Sequence, residues 1–297
     1  MVSFVSRLTR QPAARLVAAA IVLAAVLLAV IGPYLTPFNP ERPTSAVLLP
    51  PSLFHPLGTD ASGIDVLSIV LAAFRVDVVI AVVSVGISAL AGISLGAACG
   101  YGFNGSRLSL WGSTVILRFL DLVQSIPVFV LALALVGMVG QNVRDVVIAV
   151  AFVNLPVFAR LTRASVRSVE QREFVAASRS IGVHEMRILG SHVLPNSLDS
   201  ALAYASVAVG GAILLTAGLS FLGAGVRPPT PEWGAEIASG AGYIITGQWW
   251  ISVVPGLVLS AVVLSFALLG DAVRLALGQP ASAVAAVGER DPRAEAN

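Results

Sequence analysis

The stretch from Val76 to Gly100 reads VDVVIAVVSVGISALAGISLGAACG, and it decides the fold class of this chain. An α-helix needs about 20 mostly apolar residues to cross the hydrocarbon core of a bilayer, so this run predicts a transmembrane helix. Small residues recur at every fourth position in it: Ser84, Ser88, Gly92, Gly96 and Gly100. Residues four apart share one face of a helix, and small side chains there allow a second helix to approach closely. We therefore expect this face to pack against another helix.

Five further apolar runs are long enough to cross a membrane. They are Leu16–Leu35, Leu110–Val136, Val146–Ala164, Ser200–Leu222 and Trp250–Leu275. The chain of 297 residues is 57% hydrophobic and only 11% charged, against about 25% charged in an average soluble domain. A soluble protein of this size cannot bury so much apolar surface. The sequence therefore predicts an all-α polytopic membrane protein with six transmembrane helices. The first run resembles a signal peptide, but its length favours an uncleaved helix.

The arginine residues predict the orientation of these helices. All 18 basic residues are Arg. With the N-terminus in the cytoplasm, four of them fall outside, namely Arg42, Arg75, Arg144 and Arg227, and the other fourteen fall in cytoplasmic segments. Because basic residues concentrate on the cytoplasmic side of membrane proteins, we expect both the N and the C terminus to be cytoplasmic.

The chain divides into four predicted parts. Residues 1–35 form a cytoplasmic N-terminus and the first transmembrane helix. Residues 36–75 form an external loop, rich in Pro in its first half, in which Ala61–Phe74 has the apolar spacing of an interfacial helix. Residues 76–278 form a five-helix core that includes a cytoplasmic loop at 165–196. Residues 279–297 are polar and Ala-rich, which predicts a disordered cytoplasmic tail.

The composition also limits the chemistry. The chain has no Lys and hence no P-loop, so any ATP that drives it must be bound by another chain. A net charge of +2 indicates no nucleic-acid partner, and the single Cys99 excludes a cysteine-based metal site. We predict no catalytic, cofactor-binding or metal-binding residues. Gly92-Ile-Ser-Leu-Gly96 matches the nucleophile motif of Ser hydrolases. An intramembrane enzyme using Ser94 is thus an alternative, although every His lies outside the predicted spans.

The longest cytoplasmic segment, Arg160–Ser197, is the most informative one. Residues 171–181 are good helix formers, and Gly182 suits the position just after a helix end. A second helical piece extends to Leu194, where Pro195 ends it. Such a segment is either a basic loop that satisfies topology or a helix–Gly–helix unit that docks in a groove of a cytoplasmic partner.

The residues of this segment resemble a known motif. Glu173-Phe-Val-Ala-Ala-Ser-Arg-Ser-Ile-Gly182, followed by His192-Val-Leu-Pro-Asn196, is similar to the "EAA" loop of binding-protein-dependent ABC importer permeases. The residues that stand at positions of the motif, or at the position three before it where an acidic residue is often found, are Glu173, Ala176, Ala177, Gly182, Leu194 and Pro195. The motif's own Glu is Ala176 here. The resemblance implies that these residues form the loop that couples the chain to ATPase subunits.

A second motif resembles the C-type permease of dipeptide, oligopeptide and nickel importers. His55-Pro-Leu-Gly-Thr-Asp60 with Gly63 and Asp65 is similar to a signature of that family, in which an Arg stands where this chain has Ile64. The external family motif therefore comprises Gly58, Thr59, Asp60, Gly63 and Asp65. Leu219-Ser-Phe-Leu-Gly-Ala-Gly225 also matches. Thr216, Ala267 and Leu275 stand where Glu, Asn and Asp are expected, so the substrate preference is open.

The resemblance implies a function as well as a fold. The fold would be that of a type I ABC importer permease, and the chain would be a translocation subunit, not an enzyme, in a bacterial cell membrane. Implied partners are a second homologous permease in a heterodimer, one or two cytoplasmic ABC ATPase subunits that bind ATP and Mg, an extracytoplasmic substrate-binding protein and the lipid bilayer. The implied substrates are di- or oligopeptides, with nickel chelates and haem also within the family's range.

Two pairs of charged residues lie within or near the predicted spans. Arg118 and Asp121 are three positions apart on one helix, and Asp271 and Arg274 repeat this spacing. Residues three apart on a helix can form an ion pair, so structural pairing is expected for both. Intramembrane ionisable groups also mark transport sites. An ion-gradient-driven secondary transporter that uses Asp121 is therefore the main alternative, although the chain has no repeated halves.

Overall fold

The computed structural model describes residues 12–102 and 107–277. The predicted disordered tail at 279–297 lies outside the described residues. The described helices are α1 (Pro12–Ile31), α2 (Val66–Gly100), α3 (Arg107–Ser125), α4 (Val128–Val139), α5 (Val143–Glu170), α6 (Glu173–Ser180), α7 (Glu185–Ile188), α8 (Asp199–Phe221), α9 (Trp233–Ala241) and α10 (Trp250–Ala276). Within these ranges the only β-type pairing is an isolated bridge between Thr59 and Asp65, so the prediction of an all-α chain is confirmed.

Five of the described helices are long and apolar enough to cross a membrane, namely α1, α2, α5, α8 and α10. The pair α3 and α4 makes a sixth candidate, but its axis bends by 97° between Ser125 and Val128. The predicted third span, Leu110–Val136, is therefore a broken one and not a single helix. Pro127 explains the position of the break, because it lacks a backbone N–H and disfavours helical backbone at Ile126.

The second long helix differs from its prediction at its start. Ala61–Phe74 is not a separate interfacial helix, because residues from Val66 onward belong to α2, which continues without interruption to Gly100. The sequence has no Gly or Pro from Ile64 to Val85 that would break it. At a rise of 1.5 Å per residue this helix is about 52 Å long, so it exceeds the hydrocarbon core of about 30 Å.

The small-residue face of α2 packs against α5, as predicted. A Cβ atom built on Gly96 would lie 2.4 Å from the carbonyl oxygen of Ala159, and one on Gly92 would lie 2.5 Å from the Cβ of Phe158. Both positions therefore require glycine for the helices to touch. Ser94 lies on an exposed face of α2, and its hydroxyl donates to the Leu90 carbonyl oxygen at 2.8 Å. This geometry favours the packing interpretation of Gly92-Ile-Ser-Leu-Gly96 over the nucleophile motif.

Two surface layers lie at the two ends of α2. Residues 36–65, which we call the cap, precede its first turn. Residues 171–198, which we call the EAA-like loop, contact its last turn near Tyr101. Between them, α1, α2, α5, α8 and α10 share one apolar core that also takes in Trp233 of α9. The indole of Trp233 is fully buried and meets the Phe74 ring edge-on at 4.8 Å.

Candidate functional sites

The EAA-like loop has the predicted helix–Gly–helix form. Helix α6 ends at Ser180, Gly182 follows with φ +80°, and α7 starts at Glu185. This φ lies in the left-handed region, which glycine adopts without the steric cost that a side chain incurs. No atom lies within 4 Å of a Cβ built there. Gly182 is therefore needed for the backbone turn and not for close packing.

A small apolar core of its own holds the loop against the membrane helices. Val175 of α6, Ile188 of α7 and Val193 are fully buried. They pack with Val166 and Val169 of α5 and with Ala97 and Tyr101 at the end of α2. Burying an aliphatic side chain of this kind contributes about 1.5–3 kcal/mol. The loop is thus a folded layer of the protein and not an extended basic connection.

A polar cluster completes this attachment, and we call Tyr101, Glu170, Arg179 and Glu185 the Arg179 cluster. The Arg179 guanidinium donates to Glu170 at 2.8 Å and to Glu185 at 3.1 Å, and it lies 5.5 Å from the centroid of the Tyr101 ring. The Tyr101 hydroxyl donates to Glu185. Glu170 also accepts the Gly102 backbone N–H at 3.1 Å. One arginine therefore joins α6, α7 and the ends of α2 and α5.

The pKa values in the Arg179 cluster agree with this arrangement. Burial, followed by the hydrogen bond to Glu185, raises the pKa of Tyr101 to about 12. The hydrogen bond from Tyr101, assisted by the one from Arg179, lowers the pKa of Glu185. The hydrogen bond to Glu170 is the largest of the effects that raise the pKa of Arg179. Glu185 and Arg179 are therefore ionised at neutral pH, while the Tyr101 hydroxyl keeps its proton. The sequence analysis missed the cluster, because its members lie on four separate elements, α6, α7 and the ends of α2 and α5.

The predicted coupling residues lie on the outside of the loop. Glu173 is exposed in the first turn of α6, Ala176 and Ala177 are exposed in its second, Leu194 is half-buried and Pro195 is exposed. Three large apolar side chains share this outer surface: Phe174 is 40% exposed, Ile181 81% and Met186 59%. None of these three side chains belongs to the small apolar core that holds the loop.

The cap contains the external family motif, and it is held by hydrogen bonds from that motif. The Asp65 carboxylate accepts the backbone N–H of Ser68 at 2.8 Å and so caps α2, and its other oxygen lies 3.0 Å from His55 Nδ1. Thr59 Oγ1 accepts the Leu49 backbone N–H at 2.8 Å. Asp60 accepts the backbone N–H groups of Ser62 and Ile64.

The two glycines of the motif meet neighbouring groups closely. Gly63 has φ +75°, and a Cβ atom there would lie 2.3 Å from the Thr44 carbonyl oxygen. A Cβ on Gly58 would lie 2.6 Å from Nε1 of Trp250, whose indole N–H donates to the Thr59 carbonyl oxygen at 3.3 Å. Every residue of the motif therefore has a structural task in folding the cap onto the starts of α2 and α10.

Buried carboxyl groups under the cap were not foreseen from the sequence. Glu236 of α9 is 7% exposed, and burial together with the charge of Asp60 raises its pKa to about 8. Burial also raises the pKa of Asp60, against the effect of its backbone hydrogen bonds. Glu232 is 1% exposed and accepts the Ala235 backbone N–H at 2.7 Å, while the buried Asp77 accepts the Trp233 backbone N–H at 3.1 Å.

The intramembrane charged residues pair differently from the prediction. Asp121 does not pair with Arg118, three positions earlier on α3. Its carboxylate instead accepts a hydrogen bond at 2.7 Å from Arg160 of α5. In the described part of the chain no ion pair or hydrogen bond joins Asp271 and Arg274, so that predicted pairing is wrong as well. The contact between α3 and α5 brings Asp121 and Arg160 together, and sequence spacing carries no sign of it.

The Asp121–Arg160 pair lies in a cavity of about 460 Å³ at the break between α3 and α4. Gln124, Ser125 and Pro127 contribute to its wall. The side chains of Asp121 and Arg160 remain 51% and 48% exposed. Among the described residues no group of three or more His, Cys, Asp or Glu could hold a metal ion.

Comparisons with known proteins agree on one family. A family model described as "Binding-protein-dependent transport system inner membrane component" matches residues 92–279. The chain is 38% identical over 256 residues to the di/tripeptide transport system permease protein DppC of Pseudomonas aeruginosa, covering 84% of this chain and 82% of that protein. It is 35% identical over 276 residues to the glutathione transport system permease protein GsiD of Escherichia coli O6:K15:H31, covering 92% and 88%.

Two further similarities fit the same picture. The probable D,D-dipeptide transport system permease protein DdpC of Escherichia coli K12 is 35% identical over 246 residues, covering 82% of this chain and 80% of that protein. Among solved structures, a chain of the MetNI methionine ABC transporter in an inward facing conformation superposes with a TM-score of 0.57 at 17% identity, covering 70% of this chain and 96% of that one. That likeness shows the fold. None of these comparisons supports an ion-gradient-driven secondary transporter.

Proposed function

The chain belongs to the family of binding-protein-dependent transport system inner membrane components, and on that basis we propose that it imports peptides together with ATPase subunits. As a member of this family it is a multi-pass permease subunit of the bacterial inner membrane and not an enzyme. The observation that carries the proposal is the 38% identity, across more than four fifths of both chains, to a di/tripeptide permease. In the proposed orientation both termini and the EAA-like loop face the cytoplasm.

The names of the relatives support peptides as the substrate class. They are named for di- and tripeptides, for D,D-dipeptides and for glutathione. These compounds share an amide-linked backbone with charged ends, while their side chains and stereochemistry differ. A permease for them needs to accept charged ends and tolerate varied side chains. We therefore propose short peptides and leave the choice among them to the substrate-binding protein.

The outer surface of the EAA-like loop is the proposed docking site for the ATPase subunits. Phe174, Ile181 and Met186 offer an apolar contact, with Glu173 and the small residues Ala176 and Ala177 beside them. Helices that present apolar side chains commonly dock into a groove of a partner protein. ATP and Mg belong to that partner in this proposal, and this chain holds no cofactor.

The cap is the proposed contact for the substrate-binding protein, and a second homologous permease is proposed to complete the translocation path. Transport then follows from linkage between two arrangements of the helices. ATP binding favours one arrangement of the ATPases, and a firmly attached loop passes that preference to the permease. The small apolar core and the Arg179 cluster keep the loop attached, and Gly182 forms the turn within it.

Purification from native membranes in a mild detergent tests this proposal. We expect a second permease and one or two P-loop ATPases to co-purify, and the reconstituted complex to take up alanyl-alanine only with ATP inside and a binding protein outside. Reversal of charge at Glu173 (Glu173→Lys) should lower uptake without loss of the chain from the membrane. A chain that purifies alone, or uptake that a protonophore stops and ATP does not restore, would contradict the proposal.

A further inference from the structure

We propose that the cavity at the break between α3 and α4 is a transient binding site for the charged ends of a short peptide. Asp121 would take the α-ammonium group, and Arg160 would take the terminal carboxylate. This inference rests on the proposed peptide-import function and names residues for a step of it. It starts from three observations, which are the exposure of the ion pair, the break in the helix and the size of the cavity.

The exposure of the ion pair indicates that this face does not meet lipid. The sequence analysis assigned Arg160 to a cytoplasmic segment, but in the structure it lies inside α5, 17 residues after the start of that helix (about 26 Å along its axis) and 10 residues before its end. Asp121 lies 14 residues after the start of α3. Both belong to segments apolar enough to span the bilayer, yet half of each charged side chain is uncovered by the chain itself. Charged groups at such depth face a water-filled path or a protein partner, because exposure to hydrocarbon costs several kcal/mol.

The break supplies backbone groups of both polarities to the same cavity. The last carbonyl groups of α3 and the first N–H groups of α4 have no backbone partner within their own helices, and of these the Leu122 carbonyl oxygen accepts the Ser125 hydroxyl at 2.7 Å. The 97° bend directs the two helix ends away from a common axis at Ser125–Pro127, which line the cavity with Gln124. Substrate sites in transporters are commonly built at such broken helices. The backbone groups lie beside the ion pair.

The chemistry of the pair matches a zwitterion. A carboxylate binds an ammonium group, and a guanidinium binds a carboxylate through two parallel hydrogen bonds. A bound peptide breaks the ion pair between Asp121 and Arg160 and forms one ion pair with each of them, and the lost hydration of its two charged ends offsets the gain of one ion pair. A small net gain on binding suits a site on a translocation path, because the peptide must bind there and then leave. A neutral or singly charged solute cannot form an ion pair with both residues.

The dimensions fit as well. The termini of an extended dipeptide are about 7 Å apart, so the two side chains must separate from their 2.7 Å contact. Their half-exposed positions leave room for this movement. A volume of about 460 Å³ lies within the range of about 300–1,000 Å³ that is usual for small-molecule sites. The cavity can therefore hold a dipeptide between the two charges.

Cysteine labelling tests the site directly, in the purified complex and without the binding protein. The only native cysteine, Cys99, is buried, so background labelling is low. We expect Ser125→Cys to react with a water-soluble methanethiosulfonate reagent, and millimolar alanyl-alanine to slow the reaction at least about threefold. N-acetyl-alanyl-alanine amide, which lacks both charges, should not protect. Val115→Cys is the matched control, because Val115 is exposed on the same helix but does not line the cavity.

Transport by charge variants tests the role of the pair. Asp121→Asn and Arg160→Gln should each lower ATP-driven uptake of alanyl-alanine by about 10- to 100-fold, the range that loss of one hydrogen-bonded charge produces. The double variant with Asp121→Arg and Arg160→Asp restores an ion pair but exchanges the two ends. We expect it to stay inactive while the complex still assembles and hydrolyses ATP.

The outcomes separate this inference from the proposed function. Normal uptake by the double variant would show that the pair is structural and would overturn the inference. So would a Ser125→Cys that no aqueous reagent reaches, because the face would then be covered by lipid or by the second permease. Equal protection by the blocked peptide would also overturn it. If the wild-type complex takes up no peptide, the proposed function fails, while charge-selective protection of Ser125→Cys would still support the site.

Discussion

Replacement of Arg179 by Met should loosen the EAA-like loop and reduce the transport obtained per ATP. Arg179 hydrogen-bonds both to the end of α5, through Glu170, and to α7, through Glu185. Met keeps most of the length and can still lie on the Tyr101 ring, but it cannot donate. The substitution therefore removes the polar attachment and leaves the apolar core of the loop in place.

The size of the effect can be worked out from the contacts. Hydrogen bonds to charged groups contribute about 1.5–3 kcal/mol when sheltered, but the Arg179 side chain is 36% exposed, and solvent lowers each to about 0.5–1 kcal/mol. The interaction with the Tyr101 ring adds about 0.5 kcal/mol. The total is about 2 kcal/mol, which corresponds to an increase of roughly 30-fold in the detached population of the loop.

Hydrogen exchange and coupled assays measure this change. In Arg179→Met the amides of α6 should exchange about 30-fold faster if the loop opens locally, and uptake per ATP hydrolysed should fall at least about fivefold. Arg167→Met is the matched control, since Arg167 is exposed near the same end of α5 and forms no ion pair with the described residues. Exchange within about twofold of wild type would refute the reasoning, because Val175 and Ile188 would then hold the loop alone.

Three further predictions concern single residues. Because the folded chain raises the pKa of Glu236 to about 8, its neutral form stabilises the fold below about pH 4.5, and this contribution is lost as the pH rises towards 8. In thermal melts in detergent, the melting temperature of Glu236→Gln should therefore rise relative to that of the wild type from pH 5 to pH 9. Parallel pH profiles of the two melting temperatures would contradict this. Gly96→Leu should abolish the folded chain in membrane fractions. Gly86→Leu on the same helix should preserve it, because no atom lies within 4 Å of a Cβ there. Equal yields of the two variants would count against the close packing of α2 on α5. Gly182→Ala should cost about 1–2 kcal/mol of backbone strain and lower uptake per ATP with assembly intact, so unchanged coupling would argue against a need for that turn.

The sequence predicted those features that depend on local periodicity. A repeat of small residues every four positions is visible without tertiary structure, and it identified the α2 face that α5 contacts at Gly92 and Gly96. The helix–Gly–helix form of the EAA-like loop followed from helix formers ending at Gly182. The six apolar runs followed from length and hydropathy. In each case the decisive interaction lies within about one helical turn or depends on composition alone.

Features that depend on distant contacts were not predicted. The apolar run Leu110–Val136 is continuous across Pro127, and the 97° angle depends on packing such as that of Phe129 against Gly218. Spacing suggested Arg118 as the partner of Asp121, whereas the actual partner, Arg160, is 39 positions away. Sequence spacing describes neighbours on one helix and carries no information on which helices meet.

The burial of the carboxyl groups was not predicted for a different reason. A Glu between Pro231 and Trp233 is usually taken as solvent-exposed, yet Glu232 caps α9 and is 1% exposed. Glu236 is on the same short helix and is buried by the cap. Burial of such groups depends on the cap folding over α9, and no local pattern encodes that arrangement.

The unbroken length of α2 connects the two surfaces of the protein mechanically. Its first turn is tied to the cap through Asp65, and the Tyr101 hydroxyl ties its last turn to the EAA-like loop. A stiff rod about 52 Å long acts as a lever, so a tilt of about 5° at one end displaces the other by about 4–5 Å. A protein seated on the cap and one seated on the loop would then each sense the other's presence, with equal coupling in both directions. Such coupling between the cap and the EAA-like loop does not require a series of small side-chain movements.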